Sequence, residues 1–487
     1  MYALYSICIH ATPQKNALPP PPSRPQTPAL RSRFPAPQLR EQFHQLLPAR
    51  LIGRWLNTCD RTFYHRAFTP LITLWYMVFQ RLSHTHTLIA VQDDAREGGA
   101  DALSRRGKKL SAQIRSESTS AYSDARQRLP RSLLCHTLWH TAQQIDRAFQ
   151  RPLALGLKVG LLDGSTFRLR PFGDIPQELM AHRSGNSKHP PYWCLARVVG
   201  IVCLATGAVL DTMVGSPRQS EQALSAALLR VRCWAGWVLL GDRNFGVYSM
   251  VRSISHARGH ALVRLTKARA RRLARRHRCS LRPGLDLTLS WAPTPQDQCA
   301  ERLAKDPVPG RLLAARILIP RQRPLTLYLF TTLADRRDYP AEALVQLYGQ
   351  RWNIEVCFRY IKDQMDLGLL EAHSAELARK EWLAGMIAYN LIRWTMSAAA
   401  ALAHIPVVLL SFSRARGLLL GWLQRCPGRK RGSRSWRRLL RRIGNARHPK
   451  RRKRRPSEPR AVRPYRTDVP TLYGSRAAAR RKHPRKS

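Results

Sequence analysis

The spacing of apolar positions changes near residue 153, and that change divides the chain. Between about 39 and 151 they recur three and four residues apart, as at Leu71, Trp75, Val78 and Phe79, which predicts helices. Within that span, SESTSAYSDARQRLP at 116–130 reads as a capped start followed by a basic amphipathic segment. Beyond 153, short apolar runs bounded by turn residues give an α/β texture. Strands are predicted at 159–162, continuing past Asp163-Gly164-Ser165 over 166–169, and at 194–204, 209–214, 237–240, 261–265 and 325–332. Thr206-Gly207 makes the turn between the second and third. One helix is predicted to open at Ser216-Pro217, with Leu224, Ala227, Leu228 and Val231 on one face, and another covers 245–256. The stretch 266–324 is basic and broken by proline; with candidate strands at 285–291 and 313–319, it reads as an insertion into the core.

The stretch 339–370, YPAEALVQLYGQRWNIEVCFRYIKDQMDLGLL, predicts the helix on which the chemistry sits. Pro340 suits a first helical turn and Asp338 stands before it as a cap. At 100° per residue, Leu347, Ile354, Phe358, Ile361 and Met365 form one narrow apolar stripe. Tyr348, Arg351, Glu355 and Lys362 lie beside it within an arc of about 60°. A phenol, a guanidinium, a carboxylate and an ammonium therefore share one flank. Salt-bridge decoration gives the same row on an ordinary surface helix, so other residues have to decide between the two. Helices continue to about 423; the most apolar run, 382–410, is broken by Arg393, His404 and Pro406 and predicts a buried helix pair rather than a membrane span.

Charge narrows the partners. Lys and Arg number 83 against 30 Asp and Glu, a net +53, which favours a polyanion and nucleic acid above all. The Pro-rich residues 1–38 and the basic residues 425–487, with KRRKRRP and a final RRKHPRKS, read as disordered, the latter as a DNA-binding arm. The 10 Cys are scattered without a C-x-x-C pair, so zinc ribbons and redox pairs are unsupported and the thiols fit a reduced, cytosolic setting. With acids this scarce, Asp163 in LLDGS and Asp242 in LLGDRNFG draw notice, each placed after an apolar strand and before turn residues. Alone, either reads as a turn residue. Joined by Glu355 they make three acids able to converge, the donor set for two divalent cations in phosphoryl transfer. Arg351 and Lys362 would then grip phosphates, with Tyr348 adding a hydrogen bond. His182 and His189 are poor ligands for a hard cation, which prefers oxygen.

Tyr348, Arg351, Glu355 and Lys362 match the Y-x2-R-x3-E-x6-K signature of DDE-type bacterial insertion-sequence transposases, and the chain resembles the insertion sequence four family of them. DGS at Asp163 and GDRNFGVYS at Asp242 look like that family's two aspartate motifs. Similarity runs from about 51 to 487 through AYSDARQRLP, LATGAVLD, LYGQRW, KEWLAGMIAYNLIRW and SEPRAVRPY. The resemblance implies an α/β, ribonuclease-H-like catalytic core over 152–375, with a β-rich insertion at about 266–324. An all-helical DNA-end-binding domain over 39–151 would precede it, and C-terminal helices over 376–424 would follow. Asp163, Asp242 and Glu355 are implied as catalytic residues and ligands of two Mg2+ ions, for which Mn2+ can substitute. Tyr348, Arg351, Lys362, Arg243 and Trp291 are implied to touch DNA, Trp291 as the aromatic that holds a flipped base and Trp237 as the poorer candidate. The activity implied is cut-and-paste transposition: nicking, hairpin formation and opening, then joining to target DNA, by a homodimer in the bacterial cytoplasm at the nucleoid. The loop AHRSGNSKHPP at 181–191 departs from the small-residue-rich segment of close relatives. Two other readings share parts of the pattern. One is an inactive relative that binds ends as an inhibitor; the other, a ribonuclease-H-like nuclease on RNA or junctions, leaves the Tyr–Arg–Lys row unexplained.

Overall fold

The sheet that carries the acids is built from β1 (Lys158–Leu169), β2 (Cys194–Cys203), β3 (Val209–Gly215), β4 (Trp237–Gly241), β5 (His260–Arg264), β6 (Asp286–Trp291), β7 (Val308–Ile317), β8 (Leu325–Thr331) and β9 (Leu369–Leu370). The computed structural model describes residues 47, 49–58, 67–82, 86–104, 109–149, 154–179, 193–294, 306–317, 325–424 and 433–448. Strand order is β3-β2-β1-β4-β5-β8-β7-β6, with β9 against β1. β1, β2 and β3 pair antiparallel, while β4 and β5 run parallel to β1. All five residues of β4 are buried, as expected of a central strand with both faces covered.

Three expectations change here. β1 is uninterrupted: Asp163, Gly164 and Ser165 stay in the ladder opposite Gly200, Val199 and Val198, so Asp-Gly makes no turn. Pairing with β2 on one side outweighs the local turn preference of those residues. The stretch 266–324 is no separate module among the described residues. β8 pairs with β5, and β7 and β6 extend the same sheet from it. A helix, Lys267–Arg276, which apolar spacing did not predict, precedes them; only Ala270, Leu273 and Ala274 on it are buried. Finally, the helix expected from Ser216-Pro217 begins at Glu221, because Ser220 supplies the cap by accepting from the Ala223 N–H.

The stretch 339–370 is helical but irregular. Helix Ala341–Gly349 passes through a 3-10 turn, Gln350–Trp352, into helix Asn353–Arg359 and a π turn, Tyr360–Gln364. Pro340 stands at the cap in extended conformation and no side chain caps this helix, so Asp338 does not do so. The predicted stripe holds: Leu347, Ile354, Phe358, Ile361 and Met365 are all buried.

The expected helix pair over 382–410 is a single helix, Ala375–Leu402, capped by Ser374. Arg393 does not break it, because its guanidinium donates to the Thr206 carbonyl from both Nε (2.9 Å) and Nη2 (2.6 Å). The helix closes only at His404, with φ 51°, two residues before Pro406. Asn390 makes two hydrogen bonds with the backbone of Val209 on the edge strand β3, and Trp382 stacks on Phe167 of β1 with centroids 4.8 Å apart. No helix among the described residues is long and apolar enough to cross a membrane.

Helices Pro70–Leu82 and Arg131–Ala148 contribute to the same hydrophobic core as the sheet and the long helix. Described residues as far as Arg447 belong to one compact unit. Within the expected tail, Ser433–Gly444 is a helix, with Trp436, Leu439 and Ile443 buried at helical spacing. Residues 1–38, the loop 181–191 with His182 and His189, and the chain beyond 448 lie outside the described residues.

Candidate active site

Strand register brings the two aspartates together. β1 and β4 are parallel neighbours, with Leu161 opposite Leu240. Asp163 and Asp242 each lie two residues further on, so period-2 alternation points both to the same face, on strands about 4.8 Å apart. Asp242 sits just past the end of β4, where its Oδ1 accepts from the Asn244 N–H at 2.8 Å. Between its pairings with β4 and β9, the edge of β1 is open. Helix Asn353–Arg359 packs over β1, with Phe358 against Gly200, the β2 partner of Asp163.

Arg351 joins the third acid to the first. Its Nη1 lies 3.3 Å from Asp163 Oδ2 and its Nη2 donates to Glu355 Oε1 at 2.9 Å. Burial opposes the guanidinium's charge, but Tyr348, Asp163 and Glu355 outweigh it and hold the pKa above its usual value. Burial also pushes the Tyr348 phenol up to about 12, so it stays protonated, although the nearby Arg351 charge pulls the other way. Lys362, on the π turn, is 3.4 Å from Ser165 Oγ and borders a cavity of about 930 Å³. The irregular turns rotate the four residues off an ideal helix, yet Arg351 still meets Glu355 and its charge still reaches Tyr348.

Burial raises the Asp163 pKa to about 6; the Gly164 N–H and Arg351 pull it down, while Asp242 and Glu355 push it up. The sign follows from that direction. A carboxyl whose folded pKa stands above its ordinary 3.8 favours folding while protonated, and this contribution is lost as pH rises through about 6. Asp163→Asn is therefore expected to gain stability over wild type between about pH 4 and pH 7. Urea midpoints of both proteins at the two pH values measure it, and an unchanged gap contradicts it.

Among the described residues no three His, Cys, Asp or Glu side chains already form a metal-holding group. The donors nevertheless suit a hard divalent cation. Asp163 feels the charge of both Asp242 and Glu355, and one guanidinium offsets the three acids, a local excess of two negative charges.

Sequence reasoning missed two residues. Glu221, first in its helix, accepts from Asn244 Nδ2 at 2.6 Å and so braces the loop holding Asp242. It approaches Gly164 so closely that a Cβ there would lie 2.3 Å from the Glu221 carboxyl carbon. Gly164→Ala is expected to displace that flexible carboxylate, leaving stability nearly unchanged but lowering any activity of this centre on the order of tenfold to a hundredfold. Paired melting and cleavage assays check this. Trp352, beside Arg351, is 52% exposed, an unusual state for so large an apolar side chain. Its place within the signature was the available signal.

The other predicted contacts are not assembled at the centre. Arg243 is exposed beside Asp242. Trp291 is only 3% exposed, with its ring edge-on to Phe330 at 4.8 Å, so packing rather than a flipped base occupies it. Trp237 is buried too, and Lys158 lies over its ring.

A mixed sheet with one aspartate inside β1 and a second just past the end of the neighbouring β4, and a helix whose Arg351 links Glu355 to the first, defines the α/β setting of these acids. Residues 155–391 match the family described as Transposase DDE domain. Transposase InsG for insertion sequence element IS4, from Escherichia coli (strain K12), is 26% identical over 320 residues, which is 64% of this chain and 69% of that protein. These two matches support a DDE-type transposase of the insertion-sequence-four kind, with the likeness centred on residues 155–391. Among solved structures, the piggyBac transposase synaptic complex with hairpin DNA aligns over 83% of this chain and 84% of its own. Its TM-score of 0.39 and 11% identity are too low for that likeness to bear on the site.

Proposed function

We propose that the chain catalyses cut-and-paste transposition of an insertion sequence: end nicking, hairpin formation and opening, and strand transfer by phosphoryl transfer. The observation that carries this is the register that sets Asp163 beside Asp242, with Arg351 linking Asp163 to Glu355. The sheet order β3-β2-β1-β4-β5, with β4 and β5 parallel to β1, supports a ribonuclease-H-like core. Residues 39–151 are read as the end-binding helical domain, 152–375 as the catalytic domain and 376–424 as C-terminal helices. DNA is the substrate and partner, and two protomers would each act on one end.

Asp163, Asp242 and Glu355 would hold two Mg2+ ions, replaceable by Mn2+, which when bound supply Lewis-acid activation of the attacking oxygen and relief of charge on the leaving one. The protein's own part is positioning. Arg351 can exchange its carboxylate partners for a phosphate, because its fork matches either anion. Tyr348, held protonated by burial, would add a hydrogen bond to the same phosphate. Lys362 and Arg243 would grip phosphates on either side, while Trp352 offers a stacking face for a base and Trp291 stays in the core.

Lys362→Ala is expected to weaken end binding or joining by roughly tenfold, with folding intact because the side chain is half-buried and makes one long contact. Gel-shift and melting measurements check it; an insoluble variant contradicts it. The wider reading is tested with purified full chain, the element's inverted-repeat ends and Mg2+. Nicks bearing 3′-OH ends followed by hairpins are expected. Binding without any cleavage would favour the inactive end-binding relative instead.

A further inference from the structure

The sequence from Arg243 to Leu285 contains no carboxylate at all. Its middle is the helix Lys267–Arg276, which Thr266 caps by accepting from the Arg269 N–H. Ala270, Leu273 and Ala274 bury one side. On the other side Lys267, Arg271, Arg272, Arg275 and Arg276 are exposed, and Arg278 and Arg282 continue the charge past the helix end. At 100° per residue, Lys267, Arg271 and Arg275 make one row and Arg272 and Arg276 a second beside it. Among the described residues, no ion pair joins any of these five to a carboxylate.

Such a face is costly if water is its only partner. Like charges four residues apart each destabilise a helix by a few tenths of a kcal/mol, and three such pairs occur here. A face kept merely for solubility interleaves both signs. The basic rows near the helix C-terminus recover part of the cost through the helix dipole, but Lys267 at the N-terminus does not. A regular polyanion would relieve all of it.

Position adds a second line of support. The helix starts three residues after Arg264, whose charge Tyr348 senses in the candidate active site. Arg269 Nη1 donates to the Gly246 carbonyl at 2.6 Å, which ties the helix to the loop leading away from Asp242. The exposed face also lacks Asn and Gln, the residues that read adenine edges, and holds cations that suit phosphates. We propose that this helix is a sequence-independent grip on the phosphate backbone of duplex DNA, and that the duplex it serves is the target into which the element is joined. This rests on the transposase reading for the word target, but not for the duplex contact.

The test uses full-length protein in which Lys267, Arg271 and Arg275 are all changed to Gln, with a matched Arg271→Lys/Arg275→Lys protein that keeps the charge. All three positions are exposed and the Gln protein loses two like-charge pairs, so the melting temperature should stay equal or rise slightly; melting no lower than wild type shows that both variants are folded. Binding to a random-sequence duplex is measured across salt concentrations. The log–log salt slope should fall by about two to three units, since each lost phosphate contact removes about 0.9. Affinity should weaken by on the order of tenfold to a hundredfold, and the Lys protein should behave like wild type. Joining of pre-cleaved ends to random plasmid should fall in parallel, with nicking at the element's own ends unchanged. An unchanged slope overturns the grip, and nicking that falls as far as joining overturns its assignment to target. Wild-type protein that cuts no end counts against the transposase reading instead, since the salt slope is read without catalysis.

Discussion

Asp242→Asn is expected to abolish end cleavage, by roughly a thousandfold or more, while the protein still binds the same DNA. The size follows from what the substitution removes. Asn keeps the shape and the Asn244 N–H contact but carries no charge, so one of the three anionic donors proposed for the cations is lost. No salt bridge is broken, because among the described residues Asp242 pairs with no Arg or Lys. Folding should therefore be untouched. Glu355→Gln is expected to have a similar effect on cleavage, with an added consequence. It weakens the Arg351 contact at 2.9 Å and leaves that guanidinium to Asp163 alone. Equal cleavage by wild type and Asp242→Asn would show that this aspartate has been given the wrong role.

The largest effect on stability is expected far from the chemistry, at Glu381. Its Oε2 lies 3.1 Å from Arg81 Nη2 and its Oε1 2.9 Å from Arg126 Nη1, with all three side chains less than a tenth exposed. Arg81 belongs to helix Pro70–Leu82, Arg126 to helix Ser120–Arg128 and Glu381 to the long helix Ala375–Leu402, so one carboxylate clasps three elements. Lys380 adds a cation nearby by donating to the Gln127 carbonyl at 2.8 Å. Glu381→Ala leaves buried guanidinium groups without an anion and should cost about 3–5 kcal/mol. Replacing all three members with apolar residues of similar volume should cost much less, because no charge then stays buried. Urea unfolding of the two proteins separates these outcomes, and a single variant as stable as wild type would contradict the clasp.

The fold and site were legible wherever local pattern and tertiary structure agree. The apolar run before Asp242 ends where β4 ends, because a fully buried strand has to be apolar and a carboxylate can only follow it. Asp163 was found by the same signal but misplaced at a strand end, since the ladder with β2 that keeps β1 extended is invisible in LLDGS itself. Tyr348, Arg351 and Glu355 survive the 3-10 turn because three- and four-residue spacings meet on either helix type.

What escaped depends on contacts between distant residues. Glu221 reaches the site across Gly164, 57 positions before it in sequence, and nothing local to SEQALSAALL reveals it. The joining of β6 and β7 to the main sheet required β8 to pair with both β5 and β7. Whether a Trp is exposed is likewise set by neighbours: Phe330 claims Trp291, and nothing comparable among the described residues covers Trp352. The helix Ser433–Gly444 was masked by its arginines, although Trp436, Leu439 and Ile443 already had helical spacing.

Anomalous scattering from crystals of the full chain with end DNA and Mn2+ tests most directly whether three acids share one cation site. Peaks within bonding distance of carboxylate oxygens from Asp163, Asp242 and Glu355, with Arg351 turned from the acids to a phosphate, are the predicted result. Manganese bound elsewhere, with Arg351 still between Asp163 and Glu355 and the DNA engaged, would contradict it.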